Sequence, residues 1–171
     1  MTESHAAKNE LVLTRVFDAP RELVFKAWTQ AEHLQRWWGP KGFALEVAKL
    51  DLRPGGIFLG SQRSPEGFVM WGKFAYQEIV PPEKLVFIQS FSDEEGNTIR
   101  APFSPTWPLE IINHLTLVEH DGKTTLTLRG GPINATEEEW ASYEAMRPMA
   151  QQGFAATFEQ LDAFLAESQR G

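Results

Sequence analysis

The chain has 171 residues, a formal charge of −7, six tryptophans, twelve phenylalanines and no cysteine. A chain of this length buries roughly two thirds of its unfolded surface and needs no covalent staple, and without cysteine it holds neither structural disulfides nor thiolate metal sites. The acidic balance argues against a general nucleic-acid binder, no apolar run approaches the roughly 20 residues of a spanning helix, and the polar start MTESHAAKNE lacks the apolar core of a signal peptide, so a soluble cytoplasmic protein with neither nucleic acid nor membrane as partner is expected.

Residues 1–10 read as a flexible leader and residues 11–168 as a single domain. Residues 11–17 form the first expected strand, with Leu11, Leu13, Arg15 and Phe17 on one face and Val12, Thr14 and Val16 on the other. Asp18-Ala-Pro20 ends it; Asp18 or Ala19 is the expected helix cap, and Pro20 suits the first turn. Leu23, Val24, Ala27 and Trp28 mark a short amphipathic helix, and a second is expected over 31–37, before Gly39-Pro40. Neither has the basic face of a DNA-reading helix.

Six further strands are expected at 44–50, 56–63, 68–80, 84–92, 110–119 and 123–130. Turn residues separate them: Arg53-Pro-Gly-Gly56, Ser64-Pro-Glu-Gly67, Pro81-Pro-Glu83 and Asp121-Gly122. The short links favour antiparallel neighbours. Residues 93–108 contain three prolines (Pro102, Pro105, Pro108) and read as a loop at one rim of the sheet.

The stretch 136–168 is helical. Thr136 and Glu139 have capping-box spacing, and Trp140, Tyr143, Met146, Ala150, Phe154, Phe158, Leu161 and Leu165 recur at steps of three and four. Pro148 removes an amide donor, so a break near Arg147 is expected, with a short acidic lead-in before it and the long helix after it. Strands followed by one long helix, without helices alternating between strands, define an α+β fold: a curved seven-stranded antiparallel sheet wrapped on a long C-terminal helix, with two short helices after the first strand.

The ordered set Thr14-Arg-Val-Phe-Asp-Ala-Pro20, Val24-Phe-Lys-Ala-Trp28, Trp37-Trp-Gly-Pro40, Asp51-Leu-Arg-Pro-Gly-Gly56, Glu78-Ile-Val-Pro-Pro-Glu-Lys-Leu-Val86, Trp107-Pro108 and Gly122-Lys-Thr-Thr-Leu-Thr-Leu128, closing with Gly153-Phe154, Leu161 and Leu165, resembles one known family. It is similar to proteins related to the C-terminal domain of the activator of Hsp90 ATPase, in the START and Bet v 1-like (SRPBCC) helix-grip superfamily. The resemblance runs from Leu11 to Ala166. It implies a helix-grip fold and, by analogy with the wider superfamily, a hydrophobic ligand held between sheet and long helix. Some members of that superfamily are cyclases or dehydratases. The activator's separate N-terminal domain, which engages the chaperone, has no counterpart in this sequence, so the resemblance does not bring a chaperone partner with it.

The expected function is therefore non-catalytic carriage of a small hydrophobic molecule, with no cofactor and no metal. Two alternatives stand beside it: a chaperone- or stress-related interaction module, and an enzyme of cyclase, dehydratase or hydrolase type. For the enzyme, Glu110, Asn113, His114 and Arg129 are the positions to inspect. Parity decides among neighbours on a strand: with Leu115 and Leu117 inward, Asn113 is inward and His114 outward. Gln89 shares a face with Leu85 and Phe87. The polar cavity candidates are thus Gln89 and Asn113. The aromatic ones are Trp38, Phe74, Phe87, Phe154 and Phe158, and the aliphatic ones Leu115 and Leu126. Consecutive helical residues point about 100° apart, so Trp37 and Trp38 are not expected to share one site. Gly153 is read as a point of close approach or of helix movement. The outer sheet face is covered by a loop, a partner subunit or nothing, and an exposed apolar patch there would suggest a homodimer.

Overall fold

Alternating apolar and polar residues build seven strands, and the computed structural model describes them within residues 10–39 and 42–170, the side chain of Arg170 excepted. Positions 1–9 of the expected leader, with His5, and Pro40 of the Trp37-to-Pro40 turn lie outside the described residues. The strands are β1 (Leu11–Phe17), β2 (Ala44–Leu50), β3 (Ile57–Arg63), β4 (Val69–Val80), β5 (Lys84–Ser92), β6 (Ile111–His120) and β7 (Lys123–Pro132). They pair antiparallel in one curved sheet, in the order β1-β7-β6-β5-β4-β3-β2. The helices α1 (Arg21–Thr29) and α2 (Ala31–Trp37) carry the chain from one edge strand, β1, to the other, β2. The long helix α3 (Glu137–Arg170) follows β7 and packs against β1, β7 and the two short helices. None of the described helices is long and apolar enough to cross a membrane.

Local chemistry explains the joints. Asp121 and Gly122 take φ of 53° and 77°, the left-handed pair that a tight β6–β7 hairpin requires. On β4 a bulge between Tyr76 and Glu78 shifts the register; Ile79, paired with Leu85, therefore packs on the core, while Glu78 meets Lys84 outside at 3.0 Å. The start of α1 differs from expectation. Pro20 itself is the N-cap, with extended backbone and no side-chain cap, and its carbonyl accepts from the Leu23 and Val24 amides.

The capping box at α3 is complete. The Thr136 amide donates to Glu139 Oε1 at 3.0 Å, and the Glu139 amide donates to Thr136 Oγ1 at 3.1 Å. The expected break at Pro148 does not occur, and the helix runs unbroken through 34 residues. Proline forfeits one internal hydrogen bond, but the helix is docked on both sides of it. Upstream, Tyr143 hydroxyl donates to the Gly130 carbonyl; downstream, Phe158 and Leu161 are buried in the core. Tertiary packing of this kind outweighs a single local defect.

One end of the helix–sheet interface is sealed. Phe158 meets Phe17 edge-on at 5.9 Å and Trp28 at 6.3 Å, and Leu161 and Leu165 are buried beside them. Trp28 and Trp37 are fully buried, and Trp37 Nε1 donates to the Ala27 carbonyl at 2.9 Å. Outside, Gly96 backs onto Ile57 and Leu59 and its carbonyl accepts from Lys73 Nζ at 2.8 Å, so a loop covers the β3–β4 part of the outer face. Val12, Val16 and Val118 remain exposed on the β1 and β6 part.

Candidate functional site

The other end of the interface is hollow, because small residues face one another across it. On the sheet, Gly60 of β3 pairs directly with Gly72 of β4, on the same inward parity as Phe58 and Phe74. On α3, Ala150, Gly153 and Ala156 come at helical spacing. Between them lies a cavity of about 460 Å³, lined by all five. That volume falls within the roughly 300–1,000 Å³ typical of small-molecule sites. The exposed residues among its lining, Phe103, Gly153 and Ala156, mark where it meets solvent.

Trp38 forms one wall. It does not continue α2: its backbone is extended (φ −74°, ψ 135°), so its ring turns back beside Trp37, centroids 5.5 Å apart. Trp28, Trp37 and Trp38 thus form one cluster, but of the last two Trp38 lines the cavity while Trp37 is buried in the core, so the two rings do not share one site, as expected. The exit from α2 is pinned by α3, where Gln160 Nε2 donates to the carbonyls of Trp37 and Gly39 at 3.1 and 2.8 Å. Trp38 then stands edge-on to Phe74 at 5.3 Å and near Phe154 at 6.3 Å.

The opposite wall comes from the excursion between β5 and β6. Phe103 packs on Phe91 at 5.6 Å and on Trp107 at 5.7 Å, and Trp107 packs on Tyr143 of α3 at 5.7 Å. Polar contacts hold the excursion to the helix: Arg100 donates to Glu139, and the Thr106 and Ser142 hydroxyls meet at 2.6 Å. Arg100 and the Thr136 amide hold the Glu139 carboxyl below the usual glutamate range. The Tyr143 hydroxyl is pushed up to about 12 by burial.

Inside, the polar groups are few. Asn113, buried on β6, donates through Nδ2 to Gln89 Oε1 of β5 at 3.3 Å, and both line the cavity. Asn113 has room because its cross-strand partner is Gly130; a Cβ there would lie 2.8 Å from Asn113 Oδ1 and 2.5 Å from the Ile112 carbonyl.

Of the nine candidates, Trp38, Phe74, Gln89, Asn113 and Phe154 line the cavity. Phe87, Leu115, Leu126 and Phe158 do not. They are buried in the core, where Phe158 and its neighbours on α3 close on the sheet. Strand parity gave the correct face for the sheet members of this group; it carries no information on distance along the strand. Gly153 approaches nothing, since a Cβ there meets no atom within 4 Å. Sequence reasoning missed Met70, Phe91, Phe103, Trp107 and Tyr143 as lining residues. The available signals were the Trp107-Pro108 pair and glycines in the interior of β3 and β4, where glycine is costly.

The positions named for acid–base chemistry do not converge. His114 is cross-strand from Arg129 on the outer face, and desolvation, then Arg129 and Lys84, lower its pKa. Arg129 pairs with Glu10 at 3.0 Å, and neither it nor Glu110 lines the cavity. Only Asn113 of the four does. Among the described residues no three His, Asp or Glu side chains stand close enough to share a cation.

A curved antiparallel sheet closed over a long C-terminal helix, with an apolar cavity between them, defines a helix-grip domain. Residues 18–166 match the model of the family "Activator of Hsp90 ATPase homolog 1-like protein", and the chain belongs to that family. No match was found among curated proteins. Among solved structures it is similar to a protein from Mycobacterium smegmatis, at 27% identity and TM-score 0.75 over 94% of this chain and 92% of that one. It is likewise similar to a protein from Arthrobacter aurescens, at 25% identity and TM-score 0.78, over 95% and 88%. An AHSA1 protein from Silicibacter pomeroyi shares the fold at 19% identity and TM-score 0.71, over 93% and 99%.

Proposed function

We propose that the protein binds and carries a small hydrophobic molecule in the cavity between sheet and α3, without changing it chemically. One observation carries this reading. Small residues stand opposite one another on both layers, Gly60 and Gly72 on the sheet and Ala150, Gly153 and Ala156 on the helix, and leave about 460 Å³ of unfilled space. Interiors are close-packed, and a void of this size forfeits the packing contacts that stabilise a core. A domain selected for stability alone would fill it with leucine or phenylalanine. The aromatic walls supply the apolar surface such a ligand needs.

Incubation of the purified chain with a mixed lipophile library, followed by gel filtration and mass spectrometry of the retained molecules, tests the reading. The expected result is one retained chemical class. A Cβ at Gly72 meets only Ser90 O, at the ordinary distance of 3.6 Å. Gly72→Leu is therefore expected to fold, occupy the void and weaken retention by roughly tenfold or more. Wild-type protein that retains nothing from the library would overturn the proposal.

A further inference from the structure

Which lipophile the cavity takes is constrained by its few polar groups, and the constraint rests on the ligand-carrying role just proposed. The cavity's sheet wall carries three primary amides: Gln62 of β3, beside Gly39 at the α2 exit, and the pair Gln89 and Asn113, which are joined by one hydrogen bond of 3.3 Å. Two primary amides carry four N–H donors and two carbonyl oxygens. That bond engages one donor and one lone pair, and Gln89 Nε2 has no hydrogen bond to any described residue. Turning both amides over preserves the bond and leaves the same surplus, so the argument does not depend on their assigned orientation. Tyr143, the neighbouring hydroxyl, is already engaged: it donates to the Gly130 carbonyl at 3.2 Å. The cavity therefore offers unsatisfied amide groups in an apolar chamber.

Charge is the second constraint. Among the described residues lining the cavity, Lys73 is the one charged side chain, and its ammonium donates to the Gly96 carbonyl at 2.8 Å. Gly96 rests on Ile57 and Leu59, on the outer face of the sheet, away from the amide pair. A carboxylate drawn into the chamber would lose its water without gaining a cation. The chain's net charge of −7 adds long-range repulsion of the same sign. A carbonyl or hydroxyl suffers neither penalty and satisfies the amides.

We infer that the cavity selects a neutral lipophile bearing one carbonyl or hydroxyl group, read by Gln89 and Asn113, and rejects fatty-acid-like anions. Three probes of nearly equal shape separate the possibilities by titration calorimetry at neutral pH: β-isopropylnaphthalene, β-acetylnaphthalene and β-naphthoate. The ketone is expected to bind roughly five- to tenfold tighter than the hydrocarbon, the worth of one neutral hydrogen bond. The carboxylate is expected to bind roughly tenfold or more weaker than the ketone. In the double variant Gln89→Met, Asn113→Leu, ketone affinity should fall toward the hydrocarbon's level, and by more than in Gln62→Met, which removes the third amide of the wall. A cooperative unfolding transition in the double variant reports an intact fold. Naphthoate binding as tightly as the ketone, or ketone and hydrocarbon binding alike, would overturn the selection while leaving the carrier reading in place. Failure of all three probes on wild-type protein would remove both.

Discussion

The two ends of the interface between α3 and the sheet use the same helix in opposite ways. At the sealed end Phe158, Leu161, Phe164 and Leu165 are buried against Phe17, Trp28 and Leu34. At the hollow end the same helical spacing presents Ala150, Gly153 and Ala156, and the facing strands present Gly60 and Gly72. Both stretches satisfy the 3.6-residue period that sends a face inward, and only side-chain volume differs. A helix can thus anchor a domain with one half and bound a chamber with the other, and the anchor lets the chamber stay empty without collapse.

Mutations at the two ends should behave differently. The largest effect is expected at the sealed end: Phe158→Ala should destabilise the fold by about 3–5 kcal/mol, since a buried ring leaves a cavity its neighbours cannot fill. Urea unfolding measures this, and a loss below about 1 kcal/mol would mean that Phe158 is no anchor. Next is Gly130→Ala, behind Asn113. Its Cβ would meet the Ile112 carbonyl at 2.5 Å, and overpacking of this kind costs about 1–3 kcal/mol. The same unfolding curves report it.

At the hollow end the sign reverses. Gly153→Ala places its methyl where no atom lies within 4 Å, and it should stabilise the helix by about 0.5–1 kcal/mol. An unfolding midpoint shifted downward would contradict the open space found there.

The smallest effect concerns the clamp on the cavity wall. The Glu139 carboxyl is held low by Arg100 and the Thr136 amide. A carboxyl whose folded pKa is depressed adds stability above its unfolded value, near 4.3, and loses it as pH falls through the folded value. Wild type should therefore be more stable than Glu139→Gln at neutral pH, and the difference should shrink as pH drops below about 4. Unfolding midpoints at the two pH values check this, and a gap that widened in acid would refute the clamp.

Much of the fold was legible in the sequence because alternation and turn chemistry are local. The bounds of β1, β2, β5 and α2 coincide with the expected ranges, and the remaining strands differ by at most two residues at an end. The Thr136–Glu139 box formed as read. The misreadings arose where distant contacts override local rules. Pro148 sits in an unbroken helix because its flanks are docked. Phe103 and Trp107 escaped notice as wall residues because a loop has no periodicity to show which way a ring points.

The sequence by itself determined the order of elements, which residues share a strand face and the family, since each rests on residue spacing and identity. Tertiary structure alone decided where along that face the interior is full and where it is empty. Depth depends on which residues of distant elements come opposite one another: Gly60 facing Gly72 beneath Ala150 and Gly153 makes a void, while Leu126 and Leu115 in the core with Leu161 make none. No local pattern distinguishes the two, because volume across a gap is a property of pairs brought together only by folding.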